Sequence, residues 1–353
     1  MKLALASDAW SPQVNGVVRA LSETEARLRR RGWTIELLTP DAFRTLPCPT
    51  YPEIRLALGC SREVARRLDA FAPDAIHIAT EGPIGWAVRR WCIARAKPFT
   101  TSFHTRFPDY VAVRTGLPAD WIWPVMRRFH GPASRVMAVT PALAAELAER
   151  GIGPVHRWPL GADLSLFSPA RAPHPALAGL PRPILLSVGR VAVEKNLEAF
   201  LGADVPGTKV VVGDGPARAE LAGRFPQAIF LGGLHGEGLA SAYATADLFV
   251  FPSRTDTFGL VNIEALASGL PVAGYPVPGP LDIIGADGRG THGGKGRIGA
   301  LDEDLATAIR AALTGDRSAC VREARHYDWD RCTDQFVRNL VTAPATAATL
   351  AFA

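Results

Sequence analysis

Short apolar runs alternate with helix-spaced segments along almost the whole chain, and this rhythm breaks only once. Lys2 to Ala6 reads as a strand. From Val17 to Arg31 the apolar positions Val17, Leu21 and Leu28 recur at helical spacing, with Gly32 as a C-terminal stop. Thr34 to Thr39 is a second strand, and 63–71 is a short helix ended before Pro73. Asp74 to Thr80 and Phe99 to Phe103 are strands flanking a helical segment from Ile84 to Ala96. Arg135 to Thr140 is another strand, and Pro141 then opens a helix to Arg150. Parallel strands need crossover connections, so this βαβ alternation implies a doubly wound parallel sheet. Between Gly161 and Pro183 stand Pro169, Pro173, Pro175, Pro181 and Pro183 with no periodic segment, which places a domain boundary there. The rhythm restarts with strands at 184–188, 209–212, 228–231, 248–251 and 271–274. The expected division is 1–168, a linker at 169–182, a second α/β domain at 183–325, and a closing helix with a frayed tail at 326–353.

The 353 residues are enough for two domains, each with its own core. No window approaches the roughly 18 apolar residues that cross a bilayer, and the apolar run after Met1 is too short for a signal peptide. Five cysteines, odd in number and without C-x-x-C spacing, read as free thiols in a reducing cytosol rather than as bridges or a structural metal site. Lys and Arg outnumber Asp and Glu only in the first half of the chain. A basic half suits an anionic small molecule, an anionic membrane surface or a nucleic acid; the plain alternative is a solvated surface. No aromatic stacking platform or groove-reading motif accompanies the charge, which argues against nucleic acid.

Four clusters carry candidate chemistry. After the 248–251 strand comes an acidic loop with Asp256 and Glu264 eight residues apart around Phe258-Gly259, and a helix opens near Asn262. Open α/β sheets present ligand-binding groups at this carboxyl edge. The alternative for both carboxylates is structural capping of that helix. At the end of the 184–188 strand, Gly189-Arg190 and Lys195 could aim a guanidinium and an ammonium at one point, which suits a diphosphate leaving group. A solvated charge pair is the other reading. Gly213-Asp214-Gly215 forms a strand-end turn where glycines would let a planar base approach the backbone. In the first half, Asn15-Gly16-Val17 opens a helix after strand 1, where backbone N–H groups face an anion, although any βα turn favours glycine. His104 ends the 99–103 strand, either as a site residue or as a structural histidine.

These motifs together resemble the retaining glycosyltransferases of family 4. Gly189-Arg190 with Glu194-Lys195-Asn196, Gly213-Asp214-Gly215-Pro216, Tyr243 to Asp247 before Pro252-Ser253, and the paired acids at 256 and 264 match that family's elements in order. Pro12, Asn15, Gly16, Val17 and His104-Thr105 resemble the branch of bacterial glycolipid glycosyltransferases, sulfoquinovosyl-diacylglycerol synthases and α-mannosyltransferases. The resemblance implies a GT-B fold, two Rossmann-like doubly wound parallel-sheet domains facing a central cleft, and a metal-independent retaining mechanism with no cofactor. It implies that Arg190 and Lys195 hold the diphosphate of a UDP- or GDP-linked sugar, with Asn15, Gly16, Val17 and Gly189 beside it. Glu264 would bind the ribose. Asp256 with Thr257, Phe258, Gly259 and Leu260 would face the donor sugar, Leu234 with Gly213, Asp214 and Gly215 the base, and His104 a sugar hydroxyl. Asp256 departs from the family's usual glutamate and is shorter by one methylene.

Between Tyr110 and Arg135, Trp121, Ile122, Trp123, Met126 and Phe129 interleave with Arg114, Arg127, Arg128 and Arg135. An aromatic and basic helix suits an anionic interface, and equally a core-facing helix with a wet side. The combined expectation is a cytoplasmic enzyme, peripheral at the inner face of the cytoplasmic membrane, that moves a hexosyl group to a lipid such as diacylglycerol. The alternatives are a soluble sugar or polysaccharide acceptor, a nucleotide-sugar epimerase, or a non-catalytic sugar-nucleotide-binding protein.

Overall fold

The structure, a computed structural model, describes residues 1–11, 13, 16–48, 51–104, 107–108, 118–256 and 258–342. Thr105, Arg114, Asn15, Thr257 and the 343–353 tail therefore lie outside the described residues. The chain divides into two compact units, Met1–Trp158 with Thr333–Ala353, and Pro159–Cys332. The proline-rich segment belongs wholly to the second unit. There Leu177 is fully buried, Phe167 meets the ring of Tyr243 edge-on, and the N–H of His174 donates to Thr245 Oγ1 at 2.7 Å. Its prolines stop regular structure without making the segment free of the domain.

Unit 1 holds β1 (Lys2–Ala6), β2 (Thr34–Leu38), β5 (Ala75–Ile78), β6 (Thr100–Phe103), β7 (Arg135–Ala138) and β8 (Val155–Arg157) in the order β2-β1-β5-β6-β7-β8, every neighbouring pair parallel. The crossovers include α1 (Gly16–Arg30), α2 (Ser61–Phe71), α3 (Pro83–Ala94), α4 (Trp123–His130) and α5 (Pro141–Glu149). An antiparallel hairpin, β3 (Thr45–Cys48) and β4 (Tyr51–Ala57), forms a separate two-stranded sheet. Its prolines obscure any strand pattern in the sequence, and such residues are tolerated where no central ladder needs their N–H. One core gathers Leu3, Leu5, Leu21, Leu28, Met137 and Trp158 with Phe336 from the last helix and Leu340 just after it.

Unit 2 holds β9 (Ile184–Val188), β10 (Thr208–Val212), β11 (Ile229–Gly232), β12 (Leu248–Phe251), β13 (Val272–Gly274) and β14 (Gly299–Leu301) in the order β11-β10-β9-β12-β13-β14. All of these pairs are parallel. This is the 3-2-1-4-5-6 dinucleotide-fold order, and crossovers run in opposite directions on either side of β9 and β12. Its helices are α6 (Leu197–Gly202), α7 (Arg218–Arg224), α8 (Gly236–Thr245), α9 (Leu260–Ala267), α10 (Pro278–Ile284), α11 (Leu305–Ala312) and α12 (Arg317–Ala324), before α13 (Trp329–Asn339). The short β14, Gly-Ala-Leu, has too few side chains to announce itself in the sequence. Cys60, Cys92, Cys320 and Cys332 are free and buried, and burial raises the Cys92 and Cys320 thiols to about 12, far from reactive thiolates.

In unit 1 the reversal of crossover direction falls between β1 and β5, and Asp8 closes it. The Asp8 carboxylate accepts from Ile84 N at 2.9 Å, Gly85 N at 3.2 Å and Thr80 Oγ1 at 3.0 Å, so a side chain from the β1 edge supplies the missing partners at the start of α3. Burial nevertheless raises its pKa to about 6, against the lowering effect of those donors. The packing leaves no room at Gly82, where a Cβ would lie 2.3 Å from the Asp8 carboxyl carbon. Gly82→Ala is expected to cost about 1–3 kcal/mol of stability by forcing this overpacked contact apart. Denaturant unfolding measures it, and an unchanged midpoint would show that the contact can relax freely.

Candidate active site

In unit 2 the loops after β9 and β12 flank the reversal of crossovers, and they are tied to each other. Lys195 Nζ donates to Asp256 Oδ1 at 2.5 Å and Oδ2 at 2.8 Å, with both side chains about a quarter exposed (28% and 21%). Asn196, in the left-handed region at φ 51°, donates from Nδ2 to Pro252 O at 3.1 Å. Thr255 Oγ1 reaches Glu194 O at 3.4 Å. Two residues that the sequence places 61 apart are thus fixed as one charged pair at the sheet's carboxyl edge. Arg190 is exposed on the same loop, between β9 and the 3-10 turn Val193–Lys195.

The turn Gly213-Asp214-Gly215 packs backbone to backbone against this loop. A Cβ on Gly213 would stand 1.8 Å from Gly189 O, and one on Gly215 2.3 Å from Val191 O. These glycines are required by the approach of one βα loop to another, a reason independent of any base. Asp214 ties the turn to the end of β11 by accepting from Arg218 Nη1 and Gly233 N, both at 2.6 Å. Leu234 follows, half-buried.

At the start of α9, Gly259 adopts φ 81° as the residue before the helix, and no side chain caps that end. The capping alternative for the two carboxylates therefore does not hold: Asp256 pairs with Lys195, and Glu264 lies within the helix. Phe258 is buried, while Leu260 at the first helical position is half-buried. Glu264 is buried to 2% exposure and accepts from Tyr243 OH at 3.1 Å. Tyr243 stood in one of the matched motifs without a role, because no spacing rule joins a residue on α8 to one on α9. Asn262, in the first turn of α9, is fully buried and its side-chain amide has no hydrogen-bond partner, an unusual arrangement in a folded protein.

In unit 1, Gly16 begins α1 and Val17 packs on the core. His104 follows β6, buried at 7%, with its ring edge on Trp158 at 5.2 Å between centroids. Burial lowers its pKa to about 4, so it is a neutral imidazole near neutral pH. Behind it, fully buried His77 pairs with Thr100 Oγ1 at 2.9 Å and Ser102 Oγ at 3.1 Å. The Met126 and Phe129 face of α4 turns into the core, with Trp123 stacked on Phe103 and capped by the Arg150 guanidinium at 4.1 Å. The core-facing reading of this helix therefore holds, and among the described residues around it Trp121, Pro124 and Val125 stay exposed, near Arg127 and Arg128 in sequence. No helix among the described residues is long and apolar enough to cross a membrane.

A further titratable group escaped the sequence because its members have no regular spacing. His292 Nδ1 lies 2.7 Å from Glu323 Oε1, and the His292 and His326 rings stack 4.1 Å apart and 7° from parallel. Their ligand atoms fall within 4.8 Å of one another, but parallel rings direct their lone pairs along separate planes.

Residues 14–166 match the model of Glycosyltransferase Family 4, and residues 176–327 match that of Glycosyl transferases group 1. A GDP-mannose-dependent alpha-mannosyltransferase of Mycobacterium tuberculosis is 33% identical over 80% of this chain and 81% of its own length. The chain belongs to glycosyltransferase family 4. An alpha-monoglucosyldiacylglycerol synthase of Streptococcus pneumoniae is 26% identical, covering 89% of the chain and 78% of that relative. The fold matches a sucrose-phosphate synthase from Thermosynechococcus elongatus with TM-score 0.73 at 22% identity, across 96% of this chain and 97% of that one. The two Rossmann-like units are thus those of a GT-B glycosyltransferase, and the enzyme transfers glycosyl groups.

The buried His104 gives this glycosyltransferase a specific acid response. The unfolded chain takes up a proton near 6.5 while the folded imidazole resists until about 4, so stability falls as pH drops through that window. In His104→Gln the slope is removed. The margin by which the native protein exceeds the variant should shrink between pH 7.5 and 4.5 in denaturant titrations; parallel curves would contradict the buried, neutral imidazole.

Proposed function

We propose that the protein moves a hexosyl group from a nucleotide-diphosphate sugar, UDP- or GDP-linked, to a hydroxyl of a membrane lipid, with retained anomeric configuration and without a metal ion. The observation that carries this reading is the Lys195–Asp256 pair at the β9/β12 edge, with Arg190 on the same loop. Breaking a sugar–phosphate bond builds negative charge on the diphosphate. Fixed cations stabilise that charge more as it grows, which lowers the barrier rather than merely tightening binding. An ammonium and a guanidinium at one loop supply what a divalent cation would supply elsewhere, so the chain's own side chains suffice for this task. Asp256 would accept hydrogen bonds from donor-sugar hydroxyls as Lys195 turns from it toward the phosphate.

Further support comes from the opening of α9. Gly259 and Leu260 present a helix start without a side-chain cap, which favours an anion, and the buried Asn262 amide in the same turn still has hydrogen-bonding capacity. Glu264 with Tyr243 lies deeper in that helix and would set the ribose end. His104, neutral by burial, would donate to or accept from a sugar hydroxyl without adding charge beside the reacting carbon. In the retaining reaction the departing phosphate oxygen takes the proton of the incoming hydroxyl. The lipid acceptor is supported by the similarity to a diacylglycerol-modifying relative and by Trp121 and Val125 beside Arg127 and Arg128, a small surface suited to an anionic membrane at the inner face of the cytoplasmic membrane.

Incubation with a panel of nucleotide sugars and lipid acceptors, read by product mass and anomeric coupling constants, tests the reaction class directly. Lys195→Ala is expected to lower kcat about 10²-fold with little loss of stability, the scale seen when one donor to a developing anion is removed. Wild-type turnover by this variant would sink the diphosphate role. Liposome co-sedimentation should rise with anionic lipid and fall with salt; binding indifferent to both would remove the membrane contact.

A further inference from the structure

Unit 2 gathers positive charge at its other edge as well. The chain between α10 and β14, residues 285–298, precedes a strand and so lies at the amino edge of the sheet, away from the loops that follow β9 and β12. A cavity of about 190 Å³ opens there among Arg289, Lys295, Ile298, Arg322, Glu323 and His326. The fold holds this segment from both sides. Gly290 N donates to Ile284 O and Ile298 N to Gly288 O, both at 2.8 Å, and Arg322 Nη2 donates to Lys295 O at 3.0 Å. Glu323, 3% exposed, is the anchor: its Oε1 accepts from Thr291 N at 3.1 Å and meets His292 Nδ1 at 2.7 Å. Gly290 passes so near that a Cβ would stand 2.6 Å from the Glu323 carboxyl carbon.

The acid in this lining is spent on the fold, but the cations are not. Among the described residues, the Arg289 guanidinium, the Lys295 ammonium and both ring nitrogens of His326 have no hydrogen-bond partner. Arg322 commits one Nη2, to Lys295 O and, at 3.4 Å, to Asp316 Oδ2. Removal from water lowers the His326 pKa, with His292 and Arg331 pushing the same way and Glu323 opposing them. An anion in the cavity would recharge the ring. A divalent cation is opposed by these charges and by the parallel His292 and His326 rings. An apolar group would cover the charges and leave them unpaired. A carboxylate offers two oxygens in one plane, whereas these donors come from two ends of a loop, a helix and a 3-10 turn. A phosphate offers oxygens in tetrahedral directions and up to two negative charges, which suits donors arriving from separate elements. The volume is below the roughly 300–1,000 Å³ of whole-ligand pockets, so a phosphate enters and the rest of its molecule stays outside.

We infer that this cavity binds a phosphate group, at a site separate from the donor edge of the same unit. The inference stands independently of the transfer reaction proposed above. Bound phosphate would offset the like charges of Arg289, Lys295 and Arg322, and so stabilise the folded chain in proportion to its binding. A dissolved phosphate and the phosphomonoester headgroup of a lipid offer the same chemistry, so the experiment separates the two sources.

Equilibrium dialysis of the full-length protein with radiolabelled inorganic phosphate, at constant ionic strength in chloride, reads binding directly. Saturable binding is expected, weakened about tenfold or more when Arg289→Gln and Lys295→Gln are combined, since two charge-assisted hydrogen bonds are lost. Lys195→Ala removes a cation of the donor edge and should keep this binding, which tells the two sites apart. Arg289 and Lys295 are exposed and their side chains bond nothing in the fold, so the double variant should melt like the wild type without phosphate. It should lose the rise in Tm that phosphate gives the wild type. Co-sedimentation with phosphatidylcholine vesicles, with and without phosphatidic acid, supplies the membrane source. Retention that needs phosphatidic acid and falls in the double variant, without a response to dissolved phosphate, would assign the site to a lipid headgroup. A wild type that answers neither source, a double variant equal to wild type in both assays, or phosphate binding abolished by Lys195→Ala alone would overturn the inference. Each of those results leaves the donor chemistry standing.

Discussion

An open parallel sheet covered by helices on both faces sends its right-handed crossovers in two directions, and where the direction reverses two neighbouring loops diverge and leave backbone groups facing outward. The best-defined charged groups in this protein follow from that constraint. In unit 2 the reversal between β9 and β12 puts Lys195 and Asp256 within 2.5 Å. In unit 1 the reversal between β1 and β5 is closed by Asp8, which accepts from the first N–H groups of α3. The same topological event thus has two outcomes. One is filled by a carboxylate from its own strand edge and serves the fold. The other keeps a charged pair about a quarter exposed and can serve a ligand.

The difference between these two carboxylates is environmental. Asp8 is buried, and removal from water raises its pKa despite three hydrogen-bond donors. A group that is destabilised in its charged form and already saturated with donors has little left to offer a substrate. Asp256 keeps a cationic partner and access to solvent, so a sugar hydroxyl can join its hydrogen bonds without a large desolvation cost. The shortening from glutamate to aspartate acts in the same direction: with Lys195 drawn to 2.5 Å, the carboxylate needs less reach to stay in register with the β9 loop.

The sequence exposed most of the architecture because its signals are local. Strands such as Leu248–Phe251, and Ile184–Val188 apart from Ser187, are apolar runs buried on both faces, and helices such as α1 show a one-sided apolar stripe. Elements failed to announce themselves where the local pattern was absent: the proline-bearing β3–β4 hairpin, and β14 with only Gly-Ala-Leu. The proline-rich segment misled in another way. Prolines report the lack of regular hydrogen bonding, which a linker shares with an irregular segment packed by Leu177 and Phe167 onto a domain. For the site, residues on one motif were legible, while partnerships between motifs were not. Nothing in the sequence joins Tyr243 to Glu264 or Asp8 to Gly82, because each pair meets only after separate crossovers return to one edge.

The aromatic helix α4 shows why charge and aromatic content alone leave a surface undecided. Interleaved arginines and aromatics suit an interface, yet Met126 and Phe129 are taken by the core and Arg150 covers Trp123. Burial of those side chains contributes to unit 1 what the same residues cannot simultaneously give to a membrane. What remains outside is Trp121, 68% exposed, and Val125 beside two arginines. If that patch met an anionic surface, its size would give weak, reversible attachment, with electrostatics supplying most of the attraction. Weak attachment of that kind would fit the proposed exchange between a donor in water and an acceptor at an interface, which strong insertion would slow.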